Sequence, residues 1–211
     1  MTTPAVAPPN LDHVVITTPD LAEAVRAFES ATGVAPQPGG VHPTFGTRNY
    51  LVSFGGDAYL EILGADPENV DFAVTRPFGI DNVRGTAVST WAVHPAALDD
   101  AIAEARRAGA ELGEAFPGSR RTGGGTLLQW RLTADHAEPS GLVPFLIDWG
   151  TTTSPAVSTE ARVDLVALTA THLEPQKISA VLAALGTRLD VRPGEPALRV
   201  TVEGPAGRLT L

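Results

Sequence analysis

Leu11-Asp12-His13-Val14-Val15-Ile16 runs into Thr18-Pro19-Asp20-Leu21, and this passage decides the fold because it returns. Val88-Ser89-Thr90-Trp91-Ala92-Val93 runs into His94-Pro95-Ala96-Ala97-Leu98 in the same way. A fainter copy is Val163-Asp164-Leu165-Val166-Ala167-Leu168 followed by Leu173-Glu174-Pro175-Gln176. Each reads as a buried strand feeding a helix start, with proline near the first helical position. Strand-like runs follow each helix, so the repeating unit is β-α-β-β-β, and repetition has to be recognised before a fold is assigned. The pattern predicts an α+β protein. Tandem βαβββ modules form curved mixed sheets around a cleft, and a third, smaller module of the same order closes the chain.

Module one spans 10–66. Its strand, 11–17, leads to a helix over 19–32 with Thr18 as N-cap and Gly33 as stop. Leu21, Ala24, Val25 and Phe28 form its apolar stripe. A Pro/Gly-rich connection, 36–40, carries the chain to a loop histidine, His42. Strands at 47–54 and 58–63 follow, joined by the hairpin turn Gly55-Gly56-Asp57. The segment 64–84 has linker composition. Module two spans 85–149, with a helix over 95–108 and strands at 86–93, 111–115, 126–133 and 142–149, the third approached through Gly123-Gly124-Gly125. A linker over 150–161 leads to module three, 162–211, with a helix over 175–185 and strands at 188–192, 197–203 and 207–211. Residues 1–9 read as a frayed, Pro-rich tail.

The 211 residues carry 24 acidic and 15 basic side chains, a formal charge of −9 that opposes a nucleic-acid partner. With no cysteine, disulfide frameworks, thiolate metal sites and cysteine nucleophiles are excluded. The sequence has no signal peptide and no apolar run of membrane-spanning length, so a cytoplasmic protein is expected, with no membrane partner. Gly123-Gly124-Gly125 lacks the lysine of a phosphate loop, and no serine elbow is present.

The modular order resembles the vicinal oxygen chelate superfamily, which includes glyoxalase I, extradiol dioxygenases, fosfomycin-resistance proteins and bleomycin-binding proteins. More narrowly, Leu11-Asp12-His13-Val14-Val15, Gly39-Gly40-Val41-His42-Pro43, Gly46-Thr47-Arg48-Asn49, Ala58-Tyr59-Leu60-Glu61, Pro117-Gly118-Ser119-Arg120 and Pro144-Phe145-Leu146-Ile147-Asp148-Trp149 are similar to bacterial glyoxalase-like domain proteins. The similarity covers about 10–150; module three is matched only by the order of its elements.

The resemblance implies that His13, in the first strand of its module, and Glu61, in the last, supply metal ligands. Matching Leu60-Glu61-Ile62 to Ile147-Asp148-Trp149 adds Asp148, while Thr90 stands where a second-module histidine is expected. The metal set is then His13, Glu61 and Asp148, or two histidines and a carboxylate if His42 folds inward. Zn, Fe, Mn, Co or Ni all suit such donors. The alternative is no metal, with His13 and Glu61 bonded to one another or to the loop at His42. Glu61 and His42 are the candidate proton carriers. Asn49, Trp91, Trp130 and Arg120 are the candidate substrate contacts, Arg120 because a guanidinium pairs with carboxylates and phosphates. As a lone basic spot it otherwise reads as an exposed loop.

Three functions follow: metal-assisted lyase, isomerase or dioxygenase chemistry on a small oxygenated molecule; metal-free binding or sequestration of a drug-like ligand; or an interaction protein whose third module offers a sheet edge. A homodimer is compatible with the modular pairing.

Overall fold

The computed structural model describes residues 7–69, 71–122, 125–134 and 141–211. The first strand, β1 (Leu11–Thr17), is buried along its whole length. It leads into α1 (Leu21–Thr32), which Asp20 caps: its Oδ1 accepts the Glu23 N–H at 2.9 Å. Thr18, expected to cap, instead lies 2.9 Å from the Thr86 hydroxyl and ties the end of β1 to the segment before β5. Gly33 ends the helix at φ 75°, a left-handed conformation that suits glycine.

The barrel strands are β2 (Gln37–His42), β3 (Thr47–Gly55), β4 (Ala58–Ala65), β5 (Ala87–Val93), β6 (Phe116–Arg121), β7 (Leu127–Leu132) and β8 (Phe145–Asp148), with α2 (Leu98–Arg107) between β5 and β6. With β1 they close in the order β1-β4-β3-β2-β6-β7-β8-β5. In each half the first strand lies parallel to the last, β1 beside β4 and β5 beside β8.

Two elements depart from expectation. The Pro/Gly-rich connection expected at 36–40 enters strand β2 at Gln37, its ladder to β3 shifting register between Pro38 and Gly40. The strand expected at 111–115 begins at Phe116, because Gly113 sits at φ 68° and breaks the extended run.

The remaining elements are α3 (Pro155–Ser158), β9 (Asp164–His172), α4 (Pro175–Ala184), β10 (Asp190–Pro193), β11 (Ala197–Gly204) and β12 (Gly207–Thr210). This C-terminal unit keeps the β-α-β-β-β order but not the sheet order of the barrel halves. It runs β10-β9-β11-β12, because β10 docks directly alongside β9. The unit packs on the helices of the barrel: the Ala206 N–H donates to the Thr32 carbonyl at 2.9 Å, and Val200, Val202 and Leu182 share one core with Phe28 and Leu98.

Side chains alternate across the barrel wall. Val14, Ile16, Leu60, Ile62, Trp91 and Leu146 face the helices. Val15, Leu63, Ala92, Leu132, Phe145, Ile147 and Trp149 face inward. Among the described residues no helix is long and apolar enough to cross a membrane. The tail up to Val6, the Gly123-Gly124 connection and His136 lie outside the described residues.

Candidate functional site

The inward faces enclose a cavity of about 590 Å³, lined by His13, His42, Asn49, Tyr59, Glu61 and Arg120 among aromatic walls. His13 comes from β1 and Glu61 from β4. Their side chains meet, with His13 Nε2 3.7 Å from Glu61 Oε2. The His13 ring stacks on Tyr59, centroids 4.7 Å apart, and takes the edge of Phe145 at 5.3 Å. Its position is set by packing on two sides.

Asp12, which the sequence reading overlooked, holds the third contact. Leu11 pairs with Val93 and His13 with Ala92, so Asp12 is an extra residue in β1, a β-bulge that turns its side chain inward. Its Oδ1 lies 2.6 Å from His13 Nδ1, and its Oδ2 accepts the Trp149 indole N–H at 2.8 Å. An ionised carboxylate only accepts, so with Asp12 ionised His13 Nδ1 donates, and in the neutral imidazole Nε2 then turns its lone pair toward Glu61 and the cavity. Glu61 Oε1 accepts from the Asn49 amide at 2.5 Å. At 3.7 Å, Nε2 and Oε2 are too far apart to bond directly. Two proton acceptors therefore face one space.

Asn49 is wedged against the backbone: a Cβ on Gly39 would stand 2.3 Å from its Oδ1 and 2.9 Å from Leu51 Cγ. Gly39→Ala is expected to push Asn49 off Glu61 and to cost about 1–3 kcal/mol, as buried polar groups lose partners. Urea denaturation reads this out, and a wild-type midpoint for the variant would refute it.

His42 is not on a rim loop but on β2, buried, with Nδ1 3.0 Å from the Thr47 hydroxyl and its ring edge-on to Trp130. Burial lowers its pKa from 6.5 to about 4. Arg120 and His13 push the same way, and Glu61 opposes. At neutral pH it is an uncharged imidazole. Burial, with Asp12 and Glu61 nearby, holds the Tyr59 phenol well above its usual pKa, so it stays protonated. Arg120, which read by default as an exposed loop, is 4% exposed on β6.

Trp130 and Trp149 line the cavity, ring centroids 5.3 Å apart. Trp91 does not. It lies between inward-facing Thr90 and Ala92, so it points to the helices, and its indole N–H donates to the Leu142 carbonyl at 2.9 Å. Asp148 fails in the same way. Phe145, Ile147 and Trp149 take the inward positions, and Asp148 turns out to accept the Gly150 N–H. Matching Glu61 to Asp148 is therefore one residue out of step, which exchanges the faces.

The segment expected as a linker, 64–84, forms part of the cavity wall. Phe72 packs on Gly46, and Arg76 Nε donates to the Gly46 carbonyl at 2.8 Å while pairing with Asp81. Phe78 adopts φ 58° within the turn Pro77–Asn82 and lies 5.5 Å from the Phe145 ring.

The chain matches the glyoxalase-like domain family over residues 11–186. It belongs to that family. No curated protein matches the chain. Among solved structures, a hypothetical protein from Staphylococcus aureus shares the fold, with a TM-score of 0.63 and 13% identity over 95% of this chain and 84% of its own. Methylmalonyl-CoA epimerase from Streptomyces coelicolor, solved with 2-nitronate-propionyl-CoA, is 22% identical over 69% of this chain and 97% of its own, with a TM-score of 0.45. The epimerase from Mycobacterium tuberculosis is 19% identical over 65% and 85%, with a TM-score of 0.41.

The superfamily that the sequence resembles implies a divalent metal, and the described residues do not present the donors for one. Among the described residues no three His, Cys, Asp or Glu side chains converge as a metal-binding group. Asp148 points away, Asp12 is engaged by His13 and Trp149, and the Arg120 guanidinium already supplies a cation to the cavity. His42 does fold inward to line the same cavity, with Nδ1 beside the Thr47 hydroxyl, but among the described residues it does not converge with His13 and Glu61 into the three protein ligands usual even in open catalytic sites.

Proposed function

We propose that this glyoxalase-like domain binds a small oxygenated organic molecule inside its barrel and moves a proton on it without a resident metal. The observation that carries this reading is the pair of acceptors, His13 Nε2 and Glu61 Oε2, set 3.7 Å apart on the wall of an aromatic cavity. A C–H or O–H placed between them loses its proton to one of the two, and the same group, now protonated and exchanging with water, returns a proton to the ligand, which is general acid–base catalysis. Asp12 fixes the imidazole tautomer and Asn49 orients the carboxylate. Proton abstraction leaves negative charge on the ligand, and Arg120 is the fixed positive charge positioned to offset it.

Protein purified without added metal is expected to hold only substoichiometric metal. In deuterated water, with a panel of aryl-bearing keto and hydroxy acids, it should wash out the hydrogen next to the carbonyl. Glu61→Gln should abolish that exchange. A stoichiometric metal, lost in both His13→Ala and Glu61→Gln, would overturn the metal-free reading. Tight binding with no exchange for any ligand would favour sequestration, the reading supported by the facing Trp130 and Trp149 rings.

A further inference from the structure

Arg120 stands apart from every other arginine of the described chain. Its guanidinium is buried in the barrel, and one terminal nitrogen, Nη1, donates to the Gly39 carbonyl at 2.5 Å. The remaining N–H groups meet no acceptor among the described residues, and no described carboxylate lies within ion-pair distance. Glu61 and Tyr59 act on it only through space. The other guanidiniums in ion pairs, such as Arg76 with Asp81 and Arg106 with Glu111, have their carboxylates within the chain. A buried cation without a counter-ion is costly, because removing the charge from water is not offset by a pair.

The backbone around Arg120 is shaped to hold it in place. Gly40, at φ 155°, leaves room for the side chain: a Cβ there would stand 3.0 Å from Arg120 Nη1 and 2.6 Å from the Arg121 carbonyl. Gly118, on the same strand, clears space for Trp130, whose indole would be 2.3 Å from an added Cβ. Cation and aromatic ring are thus each given room by a residue without a side chain, and both line one cavity with Phe116, Phe45 and Phe72.

We infer that Arg120 is the carboxylate anchor of the site, and that the ligand is an aromatic carboxylic acid whose ring lies against Trp130. This rests on the small-molecule reading above and adds to it the chemical class of the ligand. A guanidinium matches a carboxylate with two parallel N–H···O bonds. A monovalent carboxylate also loses less hydration than a phosphate dianion on entering so enclosed a space.

Calorimetric titration of the full chain with naphthylacetate, its neutral isostere naphthylacetamide, and naphthyl phosphate tests the assignment. Naphthylacetate is expected to bind about 10- to 100-fold more tightly than the amide, the range of hydrogen bonds to a charged group. Arg120→Met should reduce its affinity to that of the amide while leaving the amide unchanged, and Arg120→Lys should retain part of the preference. Equal affinity of acid and amide for the wild type overturns the anchor without needing any variant to fold. So does a folded Arg120→Met that binds the acid like the wild type. Tighter binding of naphthyl phosphate than of the acid overturns the carboxylate assignment. Failure of all three probes to bind removes the small-molecule reading itself.

Discussion

Trp91→Ala is expected to lower the free energy of unfolding by about 3–5 kcal/mol, the range for deleting a large buried aromatic. The ring is fully buried between the barrel wall and the helices, and its N–H bond to the Leu142 carbonyl is lost with it, leaving that acceptor unsatisfied. Urea unfolding gives the size of the effect. The same variant, held at a temperature where it stays folded, should bind naphthylacetate as the wild type does, because no part of Trp91 borders the cavity. A stable variant that has lost ligand binding would place Trp91 back among the binding residues.

The second large effect is on the acid side of the stability curve. His42 binds a proton near pH 6.5 when unfolded and only near pH 4 when folded. Between those values the unfolded chain holds more protons than the native one, so stability falls as pH falls across that window. The full loss is on the order of 3 kcal/mol. The groups facing His42 are Glu61, Arg120 and His13, and of these only Glu61 favours the imidazolium. Carboxylates elsewhere titrate in the same range, so the informative quantity is the difference between wild type and His42→Gln. That variant should lose distinctly less stability between about pH 7 and about pH 4.5. Parallel curves for the two proteins would show that His42 accepts its proton without cost, contrary to its burial.

The architecture was legible because the helix stripes and the buried strands Leu11–Thr17 and Ala58–Ala65 are local patterns, each repeated in the second half. His13 and Glu61 stand out in the sequence for the same reason: each is a polar residue inside an apolar strand. Face assignments in module two failed at Trp91 and Asp148. Trp91 was a candidate only because aromatic side chains line pockets, which does not say which tryptophan faces inward. Asp148 rested on aligning one module with the other, and an error of one residue moves a side chain through the sheet. Asp12 was invisible for a related reason. Simple alternation puts it on the opposite face from His13, and only the bulge against β5 brings it inward. Arg120 and His42 looked like loop residues because Pro and Gly dominate β2 and the start of β6. There, glycine serves to let Asn49, Arg120 and Trp130 approach the backbone.

The alternation across the barrel wall lets one scaffold be retooled. Leu63 and Ile147 line the cavity, whereas Ile62 and Leu146, next to them in the chain, pack toward the helices. New specificities can accordingly arise at every second position of a strand while its neighbours preserve the protein's ability to fold.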